Sequence, residues 1–439
     1  MKSIRQLAFA ALLCCICNAH AQKKVGGDIS LLTKYETNGA QYYDLDGNPI
    51  SDMLGFFKQQ GLNAMRVRLF VDPTKSGDIA ACQDLDYVKS LGKRIKDAGF
   101  SLMLDFHYSD TWADPGKQWT PDEWKTLSDE QLNEKIYDYT KDCLTQLVTA
   151  GATPDFIQTG NEISYGMLWG TEAAVKNNNT NRCYTTSPDA NWNRFFNLLK
   201  KAGKACREVC PNAKIILHSE RAGKPSVLTD FLDRMKTASV DYDIIGLSYY
   251  PYHHGNIGKL ETAIKTVETK NYGKDIMIVE TGYYYAWQTT DFGSEGADLS
   301  STYPINPTGQ QAFTKALVEM LNKHESVKGL YWWWMEACEN GLDWKTKRVS
   351  DGWYNASLFN DDAKVKGKDG ITYDYPAGKA MPAINELQAF LNGTSGIDAI
   401  TTHHPTESGA WYSLDGRKLS GAPSQRGLYI HNGRKVIVR

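Results

Sequence analysis

The chain has 439 residues, 41% of them hydrophobic and 11% aromatic, and carries a formal net charge of −2 at pH 7. A charge so near neutral argues against nucleic acid or an anionic membrane surface as the main partner. The aromatic content supplies tryptophan and tyrosine for stacking on something flat.

Residues 1–21 have the layout of a secretory signal. Lys2 and Arg5 form a basic start, residues 7–17 an apolar core, and Ala19-His20-Ala21 a small-residue cleavage site before Gln22. The apolar stretch is well short of the roughly 18–20 residues that span a bilayer. No small residue directly precedes Cys14, Cys15 or Cys17, as a lipid anchor would require. Cleavage and export are therefore expected, to the periplasm, the cell surface or the medium, with a mature net charge of −4 once Lys2 and Arg5 are gone. No later apolar run approaches membrane-spanning length, so no transmembrane segment is expected, and the mature chain is expected to be a monomer. Six cysteines remain, at 82, 143, 183, 206, 210 and 338, with no C-x-x-C pair to suggest zinc or redox chemistry. Cys206 and Cys210 fall one turn apart on a predicted helix, where two buried thiols are expected rather than a bridge.

Short apolar runs then alternate with amphipathic stretches. The predicted strands are 25–32, 63–71, 101–107, 155–162, 214–220, 242–250, 275–281 and 329–334. Helical patterns such as DLDYVKSLGKRIKDAG and NEKIYDYTKDCLTQLVTAG lie between them. Strands apolar on both faces, each followed by a helix, belong to a parallel sheet covered by helices. Eight in series favour a (β/α)8 TIM barrel over residues 22–393, and the first strand lacks the G-x-G-x-x-G of a dinucleotide fold. After about residue 393 the pattern changes to a linker and short strands broken by D-G, R-G and N-G turns. This 394–439 tail is too short for a robust core of its own, and reads as a β-hairpin-like module or a sorting segment.

In a barrel of this kind, polar residues at the C-terminal strand ends converge on one face. Here those ends carry Asp28, Arg68, Asp105 with His107, Asn161 with Glu162, His218, Tyr249-Tyr250, Glu280 and a tryptophan cluster. Glu162 ends the fourth strand and Glu280 the seventh. Cleavage of a glycosidic bond needs two such carboxyl groups, one protonated and one ionised, so their surroundings must push their pKa values apart. Asn161 is placed to bond a sugar hydroxyl, and Arg68 with Tyr249 or Tyr250 to hold Glu280 ionised. Arg66 shares the inward face with Arg68 by strand alternation, which leaves open which arginine is nearer the chemistry.

Glutamates ending strands four and seven, the first preceded by asparagine, resemble the clan A retaining glycosidases. Within that clan DFHYSDTWADPGKQW at 105–119 is similar to the third-strand signature of glycoside hydrolase family 53, the endo-β-1,4-galactanases. GGDIS, RVRLFVDP, TGNEI, GLSYYP and VETGYYY resemble the same family in the same order, over roughly residues 25–393. The resemblance implies Glu162 as general acid/base and Glu280 as nucleophile. It implies Asp105, His107, Trp112, Asn161, His218, Tyr250 and Trp333 around the substrate, with Arg68 and Tyr250 supporting the nucleophile. The implied activity is retaining endo-hydrolysis of galactan or type I arabinogalactan in pectin side chains. The implied carboxyl separation is about 5–5.5 Å.

The match departs from the family in three places. The eighth strand reads Y-W-W-W-M-E where the family has F-Y-W-E-P. The loop after strand seven lacks the D-x-D-x-H-x-N spacing with which some bacterial members hold calcium, so no metal or other cofactor is expected. NNNTNRCYTTSPDANW after strand four is an extended loop. The tail is similar to C-terminal segments of exported Bacteroidetes proteins, some of which resemble type IX secretion signals. Three other readings compete. One is a clan A glycanase acting on mannan, glucan or arabinan. Another is a metallohydrolase built on Asp105, His107, His253 and His254. The last is a non-catalytic glycan-binding surface protein, which would not need both glutamates.

Overall fold

The computed structural model describes residues 22–177, 181–338, 354–361, 364–366, 372–374 and 377–392, and, nearer the C-terminus, 411–413 and parts of 419–438. The expected signal segment and the linker up to residue 410 lie outside the described residues. No helix among the described residues is long and apolar enough to cross a membrane.

Eight parallel strands close into a barrel. They are β1 (Lys24–Asp28), β2 (Ala64–Leu69), β3 (Ser101–Phe106) and β4 (Phe156–Gln158), then β5 (Lys214–Ser219), β6 (Ile244–Tyr249), β7 (Asp275–Thr281) and β8 (Val327–Trp332). Each overlaps one predicted run, because both faces of every strand are buried and the apolar run is continuous. Closure brings β1 between β8 and β2, and there the glycines of VGGD are needed: a Cβ on Gly26 would lie 1.7 Å from the Ala64 carbonyl oxygen.

Amphipathic helices cover the outside, and their ends follow the sequence. Leu85–Asp97 starts on Asp84, whose carboxylate accepts from the Tyr87 amide, and buries Val88, Leu91 and Ile95. Asp129–Thr149 opens on a capping box of Ser128 and Gln131. Pro307 occupies the first turn of Pro307–Leu321, where a missing N–H costs nothing.

Inside the barrel, Ala64, Met103, Phe156, Ile216, Ile244, Met277, Val279 and Tyr331 form one apolar layer. Two residues further along several strands, on the same face, come Arg66, Asp105, Gln158 and His218. The layer that seals the barrel and the layer that carries the chemistry are thus neighbours in sequence.

The contacts divide the chain at residue 394. The C-terminal unit contains a three-stranded antiparallel sheet of Trp411–Tyr412, Gly427–His431 and Arg434–Val438, in which Trp411 stacks on His431 with ring centroids 4.2 Å apart.

Candidate active site

Arg66 is the hub of the mouth. Fully buried, it donates through Nε to Gln158 Oε1 (2.7 Å) and through Nη1 to Asp28 (3.0 Å). Its Nη2 meets Asp105 (2.8 Å), Asn161 Oδ1 (2.9 Å) and Glu280 Oε1 (2.9 Å). A buried guanidinium pays heavily for lost water, and these carboxylates and amides are what offset that cost. Arg68, expected to support Glu280, instead bonds Asp28 at 2.7 Å and lies under the rings of Trp112 and Trp333. One inward position nearer the rim, it packs against the tryptophans, while Arg66 reaches Glu280 from below.

Glu280 reaches this network through an irregularity. Met277 and Val279 face the barrel interior, so strict alternation would turn Glu280 outward towards the helices. The pairing with β6 slips: Ile278 opposes Leu247, Glu280 opposes Ser248, and Val279 is the extra residue. This bulge re-aims Glu280 into the mouth, as bulges beside functional sites do. There its Oε2 accepts from the Tyr250 hydroxyl at 2.9 Å. The choice between the two tyrosines is thereby settled, since the Tyr249 hydroxyl donates to the Gly255 carbonyl instead.

Glu162 is placed differently. β4 ends at Gln158, four residues short of the predicted run, and Thr159 to Glu162 leave the sheet in a turn. Gly160 takes φ +118 without penalty, but Glu162 itself sits at φ +49, a left-handed conformation that costs a residue with a Cβ about 1–2 kcal/mol. Two bonds to β5 hold it there: its amide donates to His218 Nδ1 (3.2 Å) and the Ile163 amide to the His218 carbonyl (3.1 Å).

The two carboxyl groups therefore see opposite surroundings. Burial pushes Glu280 up, and Arg66 and the Tyr250 hydroxyl pull it back, so that it rests at about 7. Burial pushes Glu162 further up, the charges of Glu280 and Glu220 add to this, and the Ser248 hydroxyl opposes them by favouring the ion. Of the two, Glu162 is held more strongly in its protonated form, and Glu280 is the one whose ionised form a guanidinium and a phenol stabilise.

Behind them runs a line of neutral polar groups. His218 Nδ1 accepts from Gln158 Nε2 (2.8 Å) and from Glu162 N, so its proton is assigned to Nε2, which faces Ser248 Oγ at 2.8 Å. Burial and the Arg66 charge hold this imidazole well below the usual histidine range. His107 Nδ1 accepts from the Ala113 amide and its Nε2 lies 3.1 Å from Asp105, while Asn161 Nδ2 donates to the Ala113 carbonyl. Both side chains thus clamp Ala113, one through its amide and one through its carbonyl, and with it the loop that carries Trp112.

The cleft above has a volume of about 620 Å³. Of the expected residues, Glu162, Glu280, Asn161, Trp112, Tyr250 and Trp333 line it. Asp105, His107 and His218, expected among the substrate contacts, are buried one layer beneath, where Asp105 Oδ2 accepts from Arg66, His107 Nδ1 accepts from the Ala113 amide, and His218 bonds Gln158 and the Glu162 amide. In the tryptophan run, Trp332 turns into the core and donates to the Ala356 carbonyl, whereas Trp333 and Trp334 both line the cleft. Gln158, Ser248, Glu220 and Trp334 were not singled out from the sequence. The inward parity of Gln158 and Ser248, two residues beyond Phe156 and Gly246, was the available signal for the first two.

The loop after β7 does not fit a calcium cage, which needs six to eight oxygen ligands. Glu295 pairs with Lys224 and Lys259, and Asp298 accepts from Gln288 and the Ser300 amide. At the His253-His254 pair one ring nitrogen is already engaged, since His254 Nδ1 accepts from the Tyr250 amide at 2.9 Å. Among the described residues no three metal-ligating side chains converge. The six cysteines expected in the mature chain are free thiols.

Two carboxyl groups of unequal acidity facing one open, aromatic-lined cleft at the mouth of a (β/α)8 barrel are the apparatus of a glycoside hydrolase. The sequence profile of glycosyl hydrolase family 53 matches residues 24–367. An endo-beta-1,4-galactanase of Bacillus subtilis is 30% identical over 84% of this chain and 86% of its own. An arabinogalactan endo-beta-1,4-galactanase of Cellvibrio japonicus is 31% identical over 83% of this chain and 94% of its own. The family 53 catalytic domain of Ignisphaera aggregans superimposes with a TM-score of 0.69 at 29% identity, over 84% of this chain and 96% of that one. The chain belongs to glycosyl hydrolase family 53.

Proposed function

We propose that the protein is a retaining endo-β-1,4-galactanase that cuts within the galactan chains of type I arabinogalactan. The observation that carries this reading is the opposed bonding of the two carboxyl groups. Glu280 is held by a guanidinium and a phenol, and Glu162 is half-buried with no cation among the described residues bonded to its carboxyl group.

The steps follow from those surroundings. A carboxylate oxygen of Glu280 attacks the anomeric carbon, and the glycosidic C–O bond breaks as its oxygen takes the Glu162 proton. The departing sugar leaves from the Glu162 side of the cleft. Glu162, now ionised, draws a proton from water, whose oxygen attacks the same carbon and releases Glu280. Asn161, fixed by Arg66 and the Ala113 carbonyl, presents its amide beside the reacting sugar. Trp112, Trp333 and Trp334 offer faces for the apolar side of the sugar rings. Ion pairs in the polar layer leave Arg66 and Arg68 facing Asp28, Asp105 and Glu280, one negative charge in excess, which suits the positive charge that develops on the sugar.

The reaction needs no cofactor, and full activity after dialysis against a chelator is expected. Export by cleavage before Gln22 and action as a monomer complete the reading. New reducing ends from unbranched β-1,4-galactan, with the β-anomer appearing first by NMR, would support it. Release from mannan, glucan or arabinan but not from galactan would move the substrate. Binding without release would leave a glycan-binding protein.

A further inference from the structure

A third carboxylate shares the cleft with the reacting pair. Glu220, directly after β5, is 4% exposed and lines the same cavity as Glu162. The chain around it is stitched to the turn that carries Glu162. Besides the two bonds to His218 already described, Ser164 Oγ and Ser219 Oγ lie 2.7 Å apart. Arg221 Nη2 lies 2.7 Å from Glu220 Oε1, and the Arg221 guanidinium stacks 4.0 Å above the Tyr165 ring, on the same β4 loop. A buried carboxylate is costly, and nothing in the hydrolytic steps uses this one.

We propose that Glu220 is a positioning residue for the acid/base, holding the proton on Glu162 by the repulsion of its own negative charge until the leaving group takes it. The proposal rests on the reading of Glu162 as the proton donor.

Glu220 shares this role with the Glu280 charge, which also raises Glu162. Glu280, across the cleft, is itself bonded to Arg66 and Tyr250. Asp114, from the loop after β3, is paired with Lys117 at 3.5 Å. His218 is neutral behind Ser248, and His253, on the cleft wall, has its pKa lowered by burial. Burial raises Glu220 as well, and Arg221 holds it back. Glu220 and Arg221 therefore act as an opposed pair: losing the carboxylate frees a positive charge beside Glu162, and losing the guanidinium frees a negative one.

The test is the pH dependence of kcat/KM on a short β-1,4-galactooligosaccharide and on a dinitrophenyl β-galactobioside, whose leaving group needs no proton. Glu220→Gln is expected to move the alkaline limb on the oligosaccharide to lower pH by about 1 unit, and Arg221→Gln to move it to higher pH. Neither variant should move the profile on the dinitrophenyl substrate. Rates that fall in both variants with the alkaline limb unmoved would overturn the role of Glu220. Glu162→Ala separates this from the underlying reading: it should lose the oligosaccharide but keep the dinitrophenyl substrate. An unchanged profile in Glu162→Ala would overturn the assignment of the donor itself.

Discussion

Arg66 Nη2 stands 2.9 Å from Glu280 Oε1, and no part of that approach comes from neighbouring sequence: the residues are 214 positions apart and on strands separated by β1 and β8. The same nitrogen also meets Asp105 and Asn161, so one guanidinium sets the position of the nucleophile and of the amide beside the acid.

Arg66→Leu leaves Asp28, Asp105 and Glu280 buried without their shared cation. A stability loss of about 3–5 kcal/mol is expected, read as a fall in the urea midpoint, together with near-complete loss of turnover. Arg68→Leu is expected to keep most of kcat and raise KM, because that side chain supports the tryptophan faces. Equal loss of kcat in both would mean that Arg68 also acts on Glu280.

Glu280→Gln removes the nucleophile but keeps the shape of the cleft. Turnover of galactan should fall by several orders of magnitude, while calorimetry still detects oligosaccharide binding. Ordinary turnover in this variant would refute the assignment.

Activity should be bell-shaped in pH. The active form has Glu280 ionised and Glu162 protonated, so Glu280 sets the acid limb and Glu162 the alkaline one. The Tyr250 hydroxyl favours the charged form of Glu280. Tyr250→Phe removes that bond, raises the Glu280 pKa, and should move the acid limb of kcat/KM to higher pH. A bond to a charged acceptor is worth about 1.5–3 kcal/mol, so a loss of about 10- to 150-fold in kcat/KM is expected beside the shift.

Glu336 gives a stability prediction away from catalysis. It is fully buried, its Oε1 accepts from the Leu31 amide at 2.8 Å, and burial together with Asp28 pushes its pKa to about 8. The folded form holds a proton that the unfolded chain, with an ordinary carboxylate pKa, has already lost above about pH 5. The stability it contributes is present below that pH and lost as pH rises towards 8, at up to about 1.4 kcal/mol per pH unit. Glu336→Gln should flatten the decline of Tm between pH 5 and 8, measured against the unmutated protein.

Much of this site was legible in the sequence. Strands buried on both faces read as apolar runs, so their number and order followed from hydrophobic pattern alone, and the ends of the predicted runs carried Glu162, Glu280 and Asn161, while Trp112 came only with the family resemblance. The helix caps at Asp84, Ser128 and Asn306 are equally local, since each side chain bonds an amide within three residues.

What the sequence could not rank were residues of equal parity. Arg66 and Arg68 face the same way, and only the width of the closed barrel makes the deeper one reach β7. Trp332, Trp333 and Trp334 are chemically alike until the end of β8 sends the first into the core and the next two to the cleft. Glu280 is the plainest case. Alternation from Met277 and Val279 would have buried it against the helices, and the register slip beside Ser248 turns it inward. By itself the sequence determined that two glutamates would lie at or just past the ends of two strands of one barrel, because hydrophobic period and turn chemistry are local. The tertiary structure alone decided how they are turned into one cleft and what sets their acidities apart, because strand register, burial and the reach of one arginine depend on how all eight strands close.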